Sequence, residues 1–102
     1  MASALSSEGR RRAKGDRIMD LHAEFEAAIE RAKQLPHQPN DVLLDFYGLF
    51  KQASEGDVTG DKPGMFDFKG AAKFDAWEKR RGMTKDEAMQ AYVDLVDRLA
   101  AD

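Results

Sequence analysis

The sequence predicts an all-α fold, a four-helix bundle, and three observations carry that prediction. Apolar residues recur at spacings of three and four along four separate stretches, the period of a helix with one buried face. Those stretches are bounded by capping residues, prolines and glycines. No stretch alternates apolar and polar residues for long enough to argue a strand, and no internal repeat is visible. A chain of 102 residues has room for one core, so the four helices share it.

The first helix begins at Asp16, which can cap it, and ends near Gln34 before Pro36 and Pro39. Ile18, Leu21, Phe25, Ala28, Ile29 and Ala32 form its inward face, and Asp20, Glu24 and Arg31 point outward. The second runs from about Asp41 to Glu55. Asn40 or Asp41 can cap its start, and Gly56 can end it in the left-handed conformation. Residues 56–67 read as an irregular loop broken by Gly56, Gly60, Pro63 and Gly64. The third helix spans about Lys69 to Arg81 and stops at Gly82. The fourth starts at Thr84, where Thr84 and Glu87 have the spacing of a capping box. It runs to about Leu99 with Ala88, Met89, Tyr92, Val93, Val96 and Leu99 facing inward.

Residues 1–15, rich in Ala, Ser and Arg, carry no apolar face and read as a disordered tail; residues 16–102 form the folded domain. The tail lacks the apolar core of a secretory signal, and no run approaches the roughly 20 apolar residues that span a bilayer. Residues 1–17 hold five basic and two acidic side chains, a charge of +3, and the remainder holds eleven and seventeen, a charge of −6. An acidic body lacks the broad basic surface of a nucleic-acid binder, so any anionic partner must meet a local cluster of cations.

Catalytic and metal patterns are missing. There is no cysteine, which removes disulfides, thiolate catalysis and sulfur-ligated metals. His22 and His37 lie on a helix face and in a turn, with no nucleophile nearby in sequence. The segment from Asp57 to Asp61 resembles the start of a calcium loop, but Lys62 stands where that loop needs glycine and Phe68 where it needs glutamate. The glycines fit no phosphate-loop pattern, and nothing marks a carboxylate pair for acid–base work. The sequence predicts no enzyme and no cofactor.

Two helical faces are candidates for binding. Projected at 100° per residue, the apolar positions of the second helix fill an arc of roughly 220°, far wider than the ~100° of an ordinary surface helix. Lys51 falls inside its flank, between Tyr47 and Leu44. This describes either a deeply buried helix whose lysine stem lies along apolar surface, or a ligand surface offering apolar area, a phenol and a cation together. On the third helix Lys69, Lys73 and Arg80 share one side, with Trp77 beside them and Asp75 and Glu78 opposite. That face is either a solvated amphipathic stripe with Trp77 in the core, or cations and an aromatic ring arranged for a phosphate on a flat heterocycle. Tyr92 sits centrally on the apolar face of the fourth helix, a core position whose hydroxyl needs a partner.

Four blocks in register are more specific than any spacing. Phe46-Tyr47-Gly48-Leu49-Phe50-Lys51-Gln52-Ala53, Gly56-Asp57, Pro63-Gly64-Met65-Phe66-Asp67-Phe68-Lys69-Gly70 and Ala72-Lys73-Phe74-Asp75-Ala76-Trp77 resemble the acyl-CoA-binding protein family, as does the closing Ala88-Met89-Gln90-Ala91-Tyr92. The likeness runs from about Phe25 to Val96. It implies an up-down-down-up four-helix bundle that binds acyl-CoA thioesters without reacting with them. By the same resemblance Lys33, Tyr47, Phe50, Lys51, Lys73 and Tyr92 hold the nucleotide and phosphates of CoA, and Ile29, Leu43 and Leu44 line the acyl groove. Phe50 stands where animal members have a second tyrosine, Phe74 where the family has a tryptophan, and Ala71 where a lysine is common.

The expected function is therefore non-catalytic binding and transport of medium- to long-chain acyl-CoA in the cytoplasm, by a monomer. Such a carrier buffers the thioester and delivers it to acyl-CoA-using enzymes, with no nucleic-acid partner and no stable membrane insertion. The alternative is a helical protein-interaction module that has lost acyl-CoA binding.

Overall fold

The computed structural model describes the backbone of residues 14–101 and the side chains of residues 20–101. Four helices make up the fold: α1 (Lys14–Ala32), α2 (Asn40–Glu55), α3 (Phe68–Glu78) and α4 (Lys85–Ala101). Apart from Lys14 and Gly15, the expected tail lies outside the described residues, as does the inward role of the Ile18 side chain. Because α1 already includes Lys14, Asp16 sits within the helix and does not cap it.

The helix ends follow from local chemistry. Beyond Ala32 the chain tightens, with Lys33, Gln34 and Leu35 donating N–H bonds to carbonyls three residues back, which closes α1 before Pro36. Neither Asn40 nor Asp41 caps α2. Asn40 is its first helical residue, Pro39 occupies the cap position without a side-chain bond, and the Asp41 carboxylate accepts from the adjacent Val42 N–H. Pro39 fits there because its extended conformation suits a cap. Gly56 ends α2 with φ of 84°, the left-handed conformation a side chain would strain. Asp67 caps α3 by accepting from the Gly70 N–H. This helix is shorter than expected, because Arg80 and Arg81 bond three residues back and the turn closes on Gly82. The capping box of α4 is complete: the Thr84 N–H donates to Glu87 and the Glu87 N–H donates to Thr84 Oγ1.

Contacts along the helices fix the topology. His22 and Phe25 share a cavity with Asp86 and Met89, Phe25 meets Tyr92, and Arg31 pairs with Asp97, so α1 runs parallel to α4. Phe46 meets Tyr92 whereas Gln52 reaches back to Met83, so α2 runs against α4. Tyr47 lies by Lys73 and Lys51 by Trp77, so α3 runs parallel to α2. The order is up-down-down-up, and the parallel α2–α3 pair is why the 56–67 connection must be long.

The core lies where α1 and α2 both pack on α4. It contains Phe25 and Ala28 of α1, Leu49 and Ala53 of α2, and Ala88, Met89, Tyr92, Val93, Leu95 and Val96 of α4. The Tyr92 ring meets Phe25 and Phe46 edge-on, at centroid distances of 5.2 and 5.1 Å, the arrangement that aromatic quadrupoles favour. Leu99 is only half-buried, and so is Asp20, which was expected to face outward. On the far side of α2, α3 comes backbone to backbone: a Cβ on Gly48 would sit 2.3 Å from the Ala76 carbonyl oxygen.

Candidate functional site

Helix α2 is shared by both halves of the bundle, and the candidate site spreads across it. On one side a groove of about 350 Å³ opens between the end of α1, the α1–α2 connection, α2 and α4. Ile29, Ala32, Leu43 and Phe46 give it an apolar wall, Tyr92 lies against it, and Lys33, His37 and Gln38 supply polar groups along the lining. A pocket of this size with a few polar groups on an apolar wall falls in the ordinary range for small-molecule sites.

On the other side a row of cations and aromatic rings joins α2 to α3. The Lys73 ammonium lies 5.5 Å from the centroid of the Tyr47 ring, and the Lys51 ammonium lies 4.8 Å from the centroid of Trp77. Tyr47 and Lys51 are one turn apart, so the four side chains form one continuous strip. An electron-rich ring face attracts an ammonium group placed over it. Lys51 also pairs with Glu55; this bond is the main reason its pKa is raised, ahead of an opposing effect of burial and the field of Glu55 and Tyr47.

Trp77 is buried and its indole N–H donates to the Gly56 carbonyl at 2.8 Å. It is therefore a core residue that supports Lys51 rather than a free ring for stacking. Arg80, expected beside the other cations, turns instead to Asp45 at 3.2 Å. Its place beyond the end of α3 removes it from the helical projection that grouped it with Lys73. Lys69 is exposed at the start of α3.

The structure thus brings Ile29, Lys33, Leu43 and Tyr92 into one groove and Tyr47, Lys51 and Lys73 into one strip. Leu43 and Phe50 are 46% and 39% exposed and lie one turn either side of Tyr47, linking the two. Leu44 falls elsewhere: it lines a recess of about 410 Å³ between α2 and α3 with Ala72, Ala76 and three aspartates, Asp41, Asp45 and Asp75. The over-wide apolar arc of α2 is explained by these placements. Part of it packs on α4 and part on α3, Phe50 stacks on Phe25 of α1 with its outer side exposed, and Leu43 remains open. Tyr92 is buried, and desolvation raises its pKa, so its phenol stays protonated at neutral pH.

Phe46, Leu35 and His37 line the groove but were not singled out for it from sequence. Phe46 lay within the apolar arc of α2, whereas the connection residues have no periodicity to read. The Asp57 loop, which resembled a calcium loop in sequence, has a different role. Asp57 Oδ1 accepts from Gln52 at 2.8 Å and from the Gly82 N–H at 2.9 Å, fastening two connections to the end of α2. Among the described residues no cluster of His, Asp or Glu is arranged to hold a metal, and no helix is long and apolar enough to cross a membrane.

Residues 22–96 match the family described as acyl CoA binding protein. Among curated relatives, acyl-CoA-binding protein homolog 1 of Caenorhabditis elegans is 53% identical over 78 residues, 76% of this chain and 91% of that protein. A Drosophila melanogaster acyl-CoA-binding protein homolog is 46% identical over 79 residues, 76% of this chain and 92% of that protein. Among solved structures, Oryza sativa acyl-CoA-binding protein 2 superposes with a TM-score of 0.77 at 44% identity, covering 79% of this chain and 91% of that one. The Moniliophthora perniciosa protein superposes with a TM-score of 0.73 at 39% identity, covering 78% and 80%.

Proposed function

This chain belongs to the acyl-CoA-binding protein family, and from that premise we propose that it binds and carries medium- to long-chain acyl-CoA thioesters. The observation that supports the reading most directly is the pairing of a cationic strip with an adjoining apolar groove across one helix. An acyl-CoA is a multiply charged nucleotide joined to a hydrocarbon chain, and each half finds its complement here. Lys51 and Lys73 meet phosphate oxygens, Tyr47 adds a hydroxyl, and Phe50 offers an exposed ring beside them. Lys33 and Tyr92 extend the polar contacts into the groove, whose walls at Ile29 and Leu43 shield the chain. Leu44, expected beside them, lies in the separate α2–α3 recess with Asp41, Asp45 and Asp75 and has no part in this groove. Burial of the chain contributes about 0.8 kcal/mol per CH₂, so affinity rises with chain length until the groove is filled.

In this reading the protein is a carrier rather than an enzyme. It works as a monomer in the cytoplasm, takes no cofactor, and hands its ligand to enzymes that consume acyl-CoA. Residues 16–102 form the binding domain. The net negative charge is no obstacle, because screening beyond about 8 Å leaves the local lysines to decide the interaction. Calorimetric titration with palmitoyl-CoA, free CoA and free palmitate tests the proposal. Tight one-to-one binding of the thioester with weak binding of either half is the expected result. Absence of heat and of any thermal shift with the thioester would refute it.

A further inference from the structure

On the carrier reading, on which this rests, we propose that Glu55 competes with the ligand's phosphate for Lys51 and so sets how tightly the strip holds acyl-CoA. The two side chains stand one turn apart on α2, and the Lys51 ammonium meets Glu55 Oε2 at 2.5 Å. The same ammonium lies 4.8 Å from the centroid of the Trp77 ring. Lys73, the second cation of the strip, lies over the Tyr47 ring and pairs with no carboxylate among the described residues. One cation is therefore open to an anion, and the other is already occupied by one.

The local fold does not account for Glu55. It is the last residue of α2, where the negative end of the helix dipole disfavours a carboxylate. A lysine four residues ahead of a glutamate is also the less favourable order of such a pair. The Glu55 side chain is 55% exposed, and an ion pair so open to water adds little stability. The helix end is held by other groups: the Gly56 N–H donates to the Gln52 carbonyl, and the Gln52 side chain fastens Asp57 and Met83. Among the described residues Lys51 is the one ion-pair partner of Glu55. What the carboxylate does is occupy a cation that the ligand needs.

The exchange is asymmetric. The Lys51 side chain is 21% exposed, its stem lying along the protein and its ammonium against Trp77, whereas Glu55 is largely in water. An arriving phosphate therefore takes Lys51 where it stands, and the displaced carboxylate turns to solvent. The ligand gains the lysine less the pair it breaks, so Glu55 lowers affinity without blocking the site. The effect belongs to the nucleotide half of the ligand, because the acyl chain meets the apolar groove and Lys73 is not tied to Glu55. CoA and palmitoyl-CoA should shift by the same factor. A carrier has to release what it holds, and an internal anion ready to reclaim Lys51 favours that release.

The test is calorimetric titration of the full chain with CoA and with palmitoyl-CoA, in the native protein, Glu55→Gln, Lys51→Gln and the double variant. Glu55→Gln is expected to bind both ligands roughly three- to tenfold more tightly at low salt, a gain that shrinks as salt is added. In the Lys51→Gln background the same change is expected to alter affinity by less than about twofold, because the competition needs both partners. Glu55→Ala, which has no amide to bond a phosphate, is expected to reproduce the gain. An equal gain in both backgrounds overturns the proposal, by making Glu55 a general negative charge and not a competitor for Lys51. Unchanged affinity in Glu55→Gln overturns it, and so does weaker affinity, by making Glu55 a residue that positions Lys51 for the ligand. Any of these three results in a native chain that binds palmitoyl-CoA keeps the carrier and removes the competition. A native chain and a Glu55→Gln chain that both ignore palmitoyl-CoA refute the carrier and the proposal with it. A native chain that ignores it while Glu55→Gln binds refutes the carrier and upholds the competition.

Discussion

Gln52 illustrates how much one side chain can hold. It is fully buried, and its amide nitrogen donates both to Asp57, at 2.8 Å, and to the Met83 carbonyl, at 2.9 Å. It thereby fastens the loop after α2 and the turn before α4 to the same helix end. Gln52→Ala removes both bonds and opens a cavity, so it should destabilise the fold by about 2–4 kcal/mol, read by urea unfolding. Its partner Asp57 has a depressed pKa, chiefly from the Gly82 N–H and then from Gln52. A carboxyl lowered from its ordinary 3.8 adds stability that is present above that value and is lost as pH falls through the folded pKa. Asp57→Asn should therefore flatten the acid limb of a melting-temperature profile below about pH 4. In the binding strip, Tyr47→Phe should weaken palmitoyl-CoA binding by about 0.5–1.5 kcal/mol if its hydroxyl makes a net hydrogen bond. Lys73→Ala should weaken CoA and palmitoyl-CoA alike in calorimetry, because the phosphate contact proposed for it is common to both. Unchanged affinity for both would remove Lys73 from the site.

At the scale of the element, caps and faces do separate work. The Thr84–Glu87 capping box shares no residue with the strip of lysines, so Thr84→Ala should cost about 1 kcal/mol of stability and leave ligand affinity unchanged. Thermal melting and titration on the same sample would check both halves of that expectation. This box was legible in the sequence because its two bonds join residues three apart. The cap of α2 was not, because Pro39 satisfies the position by its conformation and leaves no side-chain signature. The helical pattern in the sequence runs two to three residues past the ends of α1 and α3 for a related reason: a turn with bonds three residues back has nearly the same apolar spacing as the helix it closes. Helix α2 gave its surplus of apolar surface away in sequence, but its division among α4, α3 and the open site depends on neighbours that no local pattern names.

For the whole molecule, stability should respond to ligand and to alkali. Saturation with palmitoyl-CoA at a hundredfold excess over Kd adds about 2.7 kcal/mol, which for a domain of this size raises Tm by roughly 10–20 °C. Above pH 10 the fold should weaken. Tyr92 is raised from 10.0 by burial, and Lys51 from 10.5 chiefly by its bond to Glu55. For both groups the stabilisation is complete below the unfolded value and is lost as pH rises through the folded one. The sequence by itself determined the four helices, because apolar period, caps and breakers are local. It also indicated the acyl-CoA-binding resemblance, since blocks such as Lys51-Gln52-Ala53 and Ala76-Trp77 keep their register along the chain. Only the tertiary structure decided which candidates meet. It placed Tyr47 by Lys73, set Leu44 apart from Leu43, sent Arg80 to Asp45 and buried Trp77 against the end of α2. Those outcomes depend on how α3 lies along α2 after a twelve-residue loop, from 56 to 67. Packing across that distance in sequence is fixed by complementarity of whole faces, and periodicity within one helix carries no information about it.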